Sequence, residues 1–150
     1  MKSIAKIPNK RKIINDPVYG FIKITSDLLF DIIEHPYFQR LRRIHQLGLT
    51  YLVYPGANHN RFQHVLGAAY LMKLAIEVLQ SKGHEITKEE EEGALIAILL
   101  HDIGHSPFSH TLEHFFVKDL THEDISLLFM QELNGIFDGQ LETGIKIFQN

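Results

Sequence analysis

Hydrophobic residues recur with two different periods along the chain, and the change comes early. Over residues 13–25 the run Ile-Ile-Asn-Asp-Pro-Val-Tyr-Gly-Phe-Ile-Lys-Ile-Thr sets β-branched and aromatic residues on both sides of an Asp-Pro and a Gly, the composition of a short β-hairpin. Everything after it follows helical spacing. Leu28, Leu29, Ile32 and Ile33 predict a first helix closed by Pro36, and Phe38, Leu41, Ile44 and Leu47 predict a second that ends at Gly48. The turn formers Tyr54-Pro55-Gly56-Ala57-Asn58 make a loop, after which Asn60, with Gln63 three residues on, caps a long amphipathic helix over 61–82 that Gly83 stops. A second capping box, Thr87 with Glu90, opens a helix whose charge run at 88–92 is a solvated, acidic first turn suited to the positive end of the helix dipole. That helix then loses its polar face altogether in Ala94-Leu95-Ile96-Ala97-Ile98-Leu99-Leu100, so it is predicted to lie at the centre with neighbours on all sides. Two further helices are expected, one opening at Thr121 with Ile125, Leu128, Phe129 and Leu133 as its apolar positions, and one from about Asp138 to Asn150. The predicted fold class is all-α with a short N-terminal β-hairpin, in one domain over 1–150, because 150 residues with 45% hydrophobic content can bury one core.

Charge and cysteine content narrow the chemistry. The net charge is -3 and basic residues form no block, which argues against a nucleic-acid groove as the primary surface; a small anionic ligand needs only a local positive cluster. Cysteine is absent, so any metal must be held by imidazole and carboxylate, and a reducing, cytoplasmic setting is expected. Residues 1–12 carry basic groups without the apolar run of a signal peptide, and no stretch is expected to span a bilayer. Ten histidines in a chain of this size are the first functional hint.

The histidines gather around one point. An ionisable pair such as His101-Asp102 at the end of an apolar helix is costly to bury unless something compensates it, and a divalent cation does so naturally. Imidazole with carboxylate suits Zn, Fe, Mn or Ni, and His64, in the first turn of the 61–82 helix, supplies a third ligand. Arg61 lies one turn before His64 on the same face, where its planar fork of donors suits a phosphate beside the metal. His105, His110, His114 and His122 follow the pair, whereas His35, His45, His59 and His84 read as ordinary structural or surface histidines, and His114 as the outer side of its segment. A zincin-like protease site fails on its own terms: His101 and His105 are four apart, but the residue after the first is Asp102 rather than Glu, and Gly104 with Pro107 interrupts the helix.

The segments Tyr54-Pro-Gly-Ala-Asn-His-Asn-Arg-Phe-Gln-His64 and His101-Asp-Ile-Gly-His-Ser-Pro-Phe-Ser-His110 resemble those of the HD-domain dNTP triphosphohydrolases, in particular the SAM-and-HD-domain dNTPases. The likeness runs from about Lys12 through Ile-Asn-Asp-Pro and Phe38-Gln-Arg-Leu-Arg42 to Thr121-His122-Glu123. It implies a mostly helical HD core that splits a deoxynucleoside triphosphate into deoxynucleoside and triphosphate, with a divalent ion (Fe, Mn, Zn, Ni or Mg) on His64, His101 and Asp102 activating water against the α-phosphorus. By the same resemblance Arg61, His105 and His122 contact phosphates, Glu123 orients His122, and His110 protonates the departing oxygen with Glu113 beneath it where the family has Asp. Gln46 and Leu47 match positions that meet the deoxyribose. Some members bind an activating nucleotide between subunits of a homo-oligomer; Lys12, Ile13, Asn15, Gln39 and Arg42 match that site, with Glu34 where the family has Asp. The family's fourth metal ligand is an Asp that would fall beyond Asn150, so the chain is expected to be the N-terminal part of a longer catalytic core. Two alternatives stay open: an HD hydrolase of another nucleotide or phosphoester, and a non-catalytic nucleotide-binding or oligomerisation module. Retention of His105, His110 and His122 favours an enzyme.

Overall fold

In the computed structural model, which describes residues 12–24, 26–108 and 121–150, the hairpin comes first. Strands β1 (Lys12–Asp16) and β2 (Gly20–Ile24) pair antiparallel with Ile14 opposite Ile22. The turn is fixed by Asp16, whose carboxylate accepts the N–H groups of Val18 at 2.8 Å and Tyr19 at 3.0 Å, and by Gly20 at φ 72°, a left-handed backbone that glycine adopts without steric cost. Ile22 and Ile24 face the core while Ile13 and Phe21 face outward, the alternation of a one-sided strand pair.

Helix α1 (Asp27–Glu34) is capped by Ser26 and buries Leu29, Ile32 and Ile33. Pro36 acts as a starter as much as a stop: His35 is pushed to extended backbone, and α2 (Pro36–Gln39) begins with proline at its first position. The helix expected to run on to Gly48 does not form. A 3₁₀ turn over Arg40–Arg43 follows α2, and Ile44 then leaves helical backbone, because the chain at 44–46 pairs with 59–61. Arg61 N–H donates to Ile44 O at 2.9 Å, and Gln46 N–H donates to His59 O at 3.0 Å. Ile44 is thereby buried, but Leu47 is left exposed. A short 3₁₀ turn at Thr50–Leu52 completes the connection.

Both sequence-predicted capping boxes are present, at the start of α3 (Arg61–Ser81) and of α4 (Lys88–Leu100). By length and composition α3 is long and apolar enough to cross a bilayer, contrary to the sequence expectation. It nevertheless contributes Phe62, Val65, Leu66, Ala69 and Ile76 to the buried interior, leaving Leu71, Leu74 and Val78 exposed. Helix α4 lies between α3 and the last helix, α6 (Glu142–Gln149), as its lack of a polar face requires. Helix α5 (His122–Ile136) has the expected Thr121 cap; of its predicted apolar positions Leu133 is buried and Phe129 packs against the core, whereas Leu128 is exposed and Ser126 and Met130 are buried instead. The last helix starts at Glu142 rather than near Asp138, since Asp138 and Gly139 take left-handed backbone at φ 54° and 82° to close the turn after α5.

The box opening α4 carries a pH signature. Hydrogen bonds from the Thr87 backbone N–H and hydroxyl, each 2.8 Å, hold the Glu90 carboxyl below its ordinary value. A carboxyl depressed in the folded state adds stability above its unfolded pKa and loses it as pH falls through the folded value. Glu90→Gln, which can still accept those bonds, is therefore expected to flatten the fall in melting temperature below about pH 4; circular dichroism melts at pH 7 and pH 3 that drop equally in both proteins would contradict this.

Candidate metal centre

The end of α4 and the start of α3 meet at the proposed site. After Leu100 the chain makes a tight turn, Ile103 N–H to Leu100 O at 3.1 Å and His105 N–H to Asp102 O at 3.2 Å, which brings His101, Asp102 and His105 into one small volume. The Asn60–Gln63 box fixes the first turn of α3 and with it Arg61 and His64. His101 Nδ1 lies 2.6 Å from Ile98 O, a contact in which Nδ1 is the donor, and this orientation turns Nε2 toward Asp102, 3.3 Å from Oδ1. His64 Nε2 lies 3.5 Å from Asp102 Oδ2. Ligand atoms of His64, His101 and Asp102 all fall within 4.8 Å of one another. Donors bound at about 2.0–2.1 Å around a tetrahedral ion stand roughly 3.4 Å apart, so the two imidazole–carboxylate spacings fit a shared cation.

Protonation states agree with the donor set. Burial alone would raise the Asp102 carboxyl, but the hydrogen bond from His105 and the charges of His101 and Arg61 outweigh it and hold the group well below the usual carboxylate range. Burial lowers His64 and His105 despite the opposing pull of Asp102, keeping both imidazoles neutral as ligation requires. Arg61 is 2% exposed, and its Nη1 donates to Asp102 Oδ2 at 2.5 Å. The guanidinium foreseen facing a phosphate thus spends one donor on the carboxylate.

A second group shares the same aspartate: ligand atoms of Asp102, His105 and His122 also lie within 4.8 Å. The rings of His105 and His122 stack with centroids 4.1 Å apart at 15°, which ties the first turn of α5 to the His-Asp turn. Beside His64 opens a cavity of about 370 Å³, walled by Val18 and Tyr19 of the hairpin turn and by His59, Gln63, Gly67 and Leu71.

Other sequence-predicted residues scatter around this centre. Glu123 is exposed in the first turn of α5. Gln46 and Leu47 sit on the segment that pairs with α3's entry, the Gln46 Oε1 atom buried with no hydrogen-bond partner. Lys12 and Glu34 form an ion pair, Gln39 Nε2 donates to Ile33 O at 2.6 Å, and Arg42 Nε donates to Gln39 Oε1 at 2.7 Å, so these four cluster at the end of α1. Ile13 and Asn15 are exposed on β1. His110, Glu113 and His114 lie outside the described residues. His35 takes an ordinary role, capping α2 by accepting Tyr37 N–H.

Sequence reading missed Arg40 and Ser126. Arg40 donates to the backbone carbonyls of Ile103 and His105 and stacks its guanidinium 5.2 Å over Phe129. Nothing in the string FQRLRR separates Arg40 from the arginines at 42 and 43, which are exposed. Ser126 had a signal: it stands four residues after His122 and four before Met130, a polar residue on the face that turns inward.

With this arrangement in view, comparison places the chain in a class. The HD domain family model matches residues 61–144, from Arg61 through both halves of the His/Asp cluster, and the chain belongs to the HD domain family. It is similar to the deoxynucleoside triphosphate triphosphohydrolase SAMHD1 of Homo sapiens, 43% identical over 136 residues, covering 83% of this chain and 22% of that protein. The zebrafish (Danio rerio) protein of the same name is 40% identical over 147 residues, 91% of this chain and 24% of that one. Among solved structures, a phosphohydrolase from Bacteroides thetaiotaomicron superimposes with a TM-score of 0.90 at 57% identity, over 93% of this chain and 34% of that one. The chain thus spans about a quarter of the curated relatives' length and a third of the solved relative's.

Proposed function

We propose that this chain carries the metal-binding part of a deoxynucleoside triphosphate triphosphohydrolase, and that His64, His101 and Asp102 hold its divalent ion. The observation that carries the reading is the convergence of two imidazoles on one buried, ionised carboxylate, with ligand atoms within 4.8 Å of one another and His64 kept toward its neutral form by burial. When bound, such an ion lowers the pKa of water so that a nucleophile is available at neutral pH. The chain's own residues do the rest. Arg61 and the stacked His105–His122 pair lie within reach of that carboxylate and offset charge that builds on phosphate oxygens, each such donor contributing roughly 3–4 kcal/mol in the transition state by analogy with oxyanion-hole deletions. Attack of water oxygen on the α-phosphorus breaks its bond to the 5′ oxygen, which leaves as the deoxynucleoside after taking a proton; by the resemblance of the sequence His110 is assigned that proton, Glu113 the support of His110, and Glu123 the orientation of His122. Gln46 and Leu47 are assigned to the sugar, and the unpartnered Gln46 Oε1 supports a hydroxyl donor from a ligand.

The Lys12, Glu34, Gln39 and Arg42 cluster, with Ile13 and Asn15 on the neighbouring strand, is proposed as one half of an activating-nucleotide site at a homo-oligomer interface. Activity that stays flat when GTP or dGTP is added would sink that assignment. A second reading draws on the Arg61–Asp102 ion pair, which compensates the buried carboxylate by itself and would suit a non-catalytic nucleotide-binding module. Manganese- or iron-loaded protein incubated with each dNTP, with products separated by ion exchange, decides among them. Triphosphate with free deoxynucleoside is the expected result; monophosphate with pyrophosphate means a different phosphohydrolase, and no turnover by a chain of the relatives' full length favours the module.

A further inference from the structure

Among the described residues four polar or charged side chains are buried, and three of them, Arg61, Asp102 and His105, belong to the His/Asp cluster. The fourth is Ser126, fully buried in α5. A serine inside a helix commonly bonds back to the carbonyl four residues earlier in its own helix. Ser126 bonds across to another element instead. Its hydroxyl donates to His101 O at 2.8 Å and accepts Gly104 N–H at 2.8 Å. Those two backbone groups flank Asp102, and the first is one of the carbonyls that the end of α4 leaves without an intrahelical partner. One hydroxyl therefore brackets the whole turn that presents the His-Asp pair. The same contact sets the register of α5, since His122 stands one turn before Ser126 and stacks on His105.

We infer that Ser126 is a positioning residue for the metal centre: by bracketing residues 101–104 it fixes the directions in which His101 and Asp102 present their donor atoms, and so sets both the affinity and the coordination geometry of the ion. The inference rests on the metal-centre reading given above. The competing account is an ordinary buried hydrogen bond that adds stability and nothing else, and it makes a different prediction. Groups that orient ligands without touching the metal typically change its affinity about 10- to 100-fold when removed.

The test is a cobalt(II) titration of this chain, followed by visible absorption, with melting temperature measured in parallel. Ser126→Ala is expected to weaken cobalt binding by about 10- to 100-fold and to shift the ligand-field bands of the bound ion. Ser126→Thr, which keeps the hydroxyl, should recover most of the affinity. Met130→Ala, on the same buried face one turn on, should lower the melting temperature at least as far as Ser126→Ala while leaving affinity and spectrum as they were. Unchanged affinity and spectrum in Ser126→Ala would overturn the inference, as would a Met130→Ala protein that loses cobalt in step with its stability. An unsubstituted chain that binds no cobalt removes the metal-centre reading itself, and this inference with it.

Discussion

Replacing Asp102 with alanine is expected to remove metal binding and turnover together and to destabilise the fold by about 3–5 kcal/mol, the usual cost of breaking a buried ion pair from one side. The size follows from Arg61. Its guanidinium is 2% exposed and donates at 2.5 Å to the carboxylate that would be lost, so the variant deprives a buried cation of that counter-charge. His64→Gln separates the two consequences, because that imidazole is 40% exposed and can be lost without stranding a charge. It should empty the site at nearly unchanged melting temperature. The paired change Arg61→Met with Asp102→Leu should recover much of the stability lost in Asp102→Ala while staying metal-free, since apolar residues of similar size often replace a buried ion pair without loss. Metal analysis after dialysis alongside thermal melts reads all three. Metal retained by Asp102→Ala, or His64→Gln as unstable as Asp102→Ala, would contradict the assignment.

The parts of this site that were legible in the sequence are those whose physical requirement is local. Asn60 and Thr87 are caps with their glutamine or glutamate three residues on, so the starts of α3 and α4 could be placed from spacing alone, and with them Arg61 and His64. His101-Asp102 stood out because an ionisable pair after seven apolar residues demands compensation wherever the chain goes. What failed depended on partners distant in sequence. Periodicity made one helix of Phe38, Leu41, Ile44 and Leu47, but pairing of 44–46 with 59–61 pulls Ile44 into extended backbone, and that preference cannot be seen in either segment separately. On α5 the prediction held at Leu133, which is buried, and at Phe129, which packs against the core, and it failed at Leu128 for a related reason: contact with the His-Asp turn places Ser126 in the interior and leaves Leu128 in solvent. The second role of Arg61, neutralising Asp102, likewise required knowing that α3 and the end of α4 converge.

The His-Asp turn packs closely on α5 at Gly104, and Gly104→Ala is expected to be among the most damaging glycine-to-alanine changes among the described residues. A Cβ built there would stand 2.2 Å from His122 O and 2.4 Å from Ser126 N, both backbone atoms of α5 that cannot move without the helix. Ordinary overpacking of a core costs about 1–3 kcal/mol, and a clash against backbone on this scale should reach about 3 kcal/mol or more. Gly67→Ala is the milder comparison: its Cβ would meet Tyr19 Cε2 at 2.8 Å, the edge of a side-chain ring rather than backbone, so the cost should be smaller than at Gly104. The damage at Gly104 should also have a direction. Pushing α5 outward separates Ser126 from His101 O and Gly104 N–H, which exposes those groups to exchange, and unstacks His122 from His105. Amide exchange is therefore expected to accelerate at residue 104 and in the first turns of α5 well before it does in α3, with metal affinity falling in the same variant. A Gly104→Ala protein that melts within a degree or two of the parent and keeps its residue-104 protection would show that the close packing of α5 on the His-Asp turn is not what holds this site together.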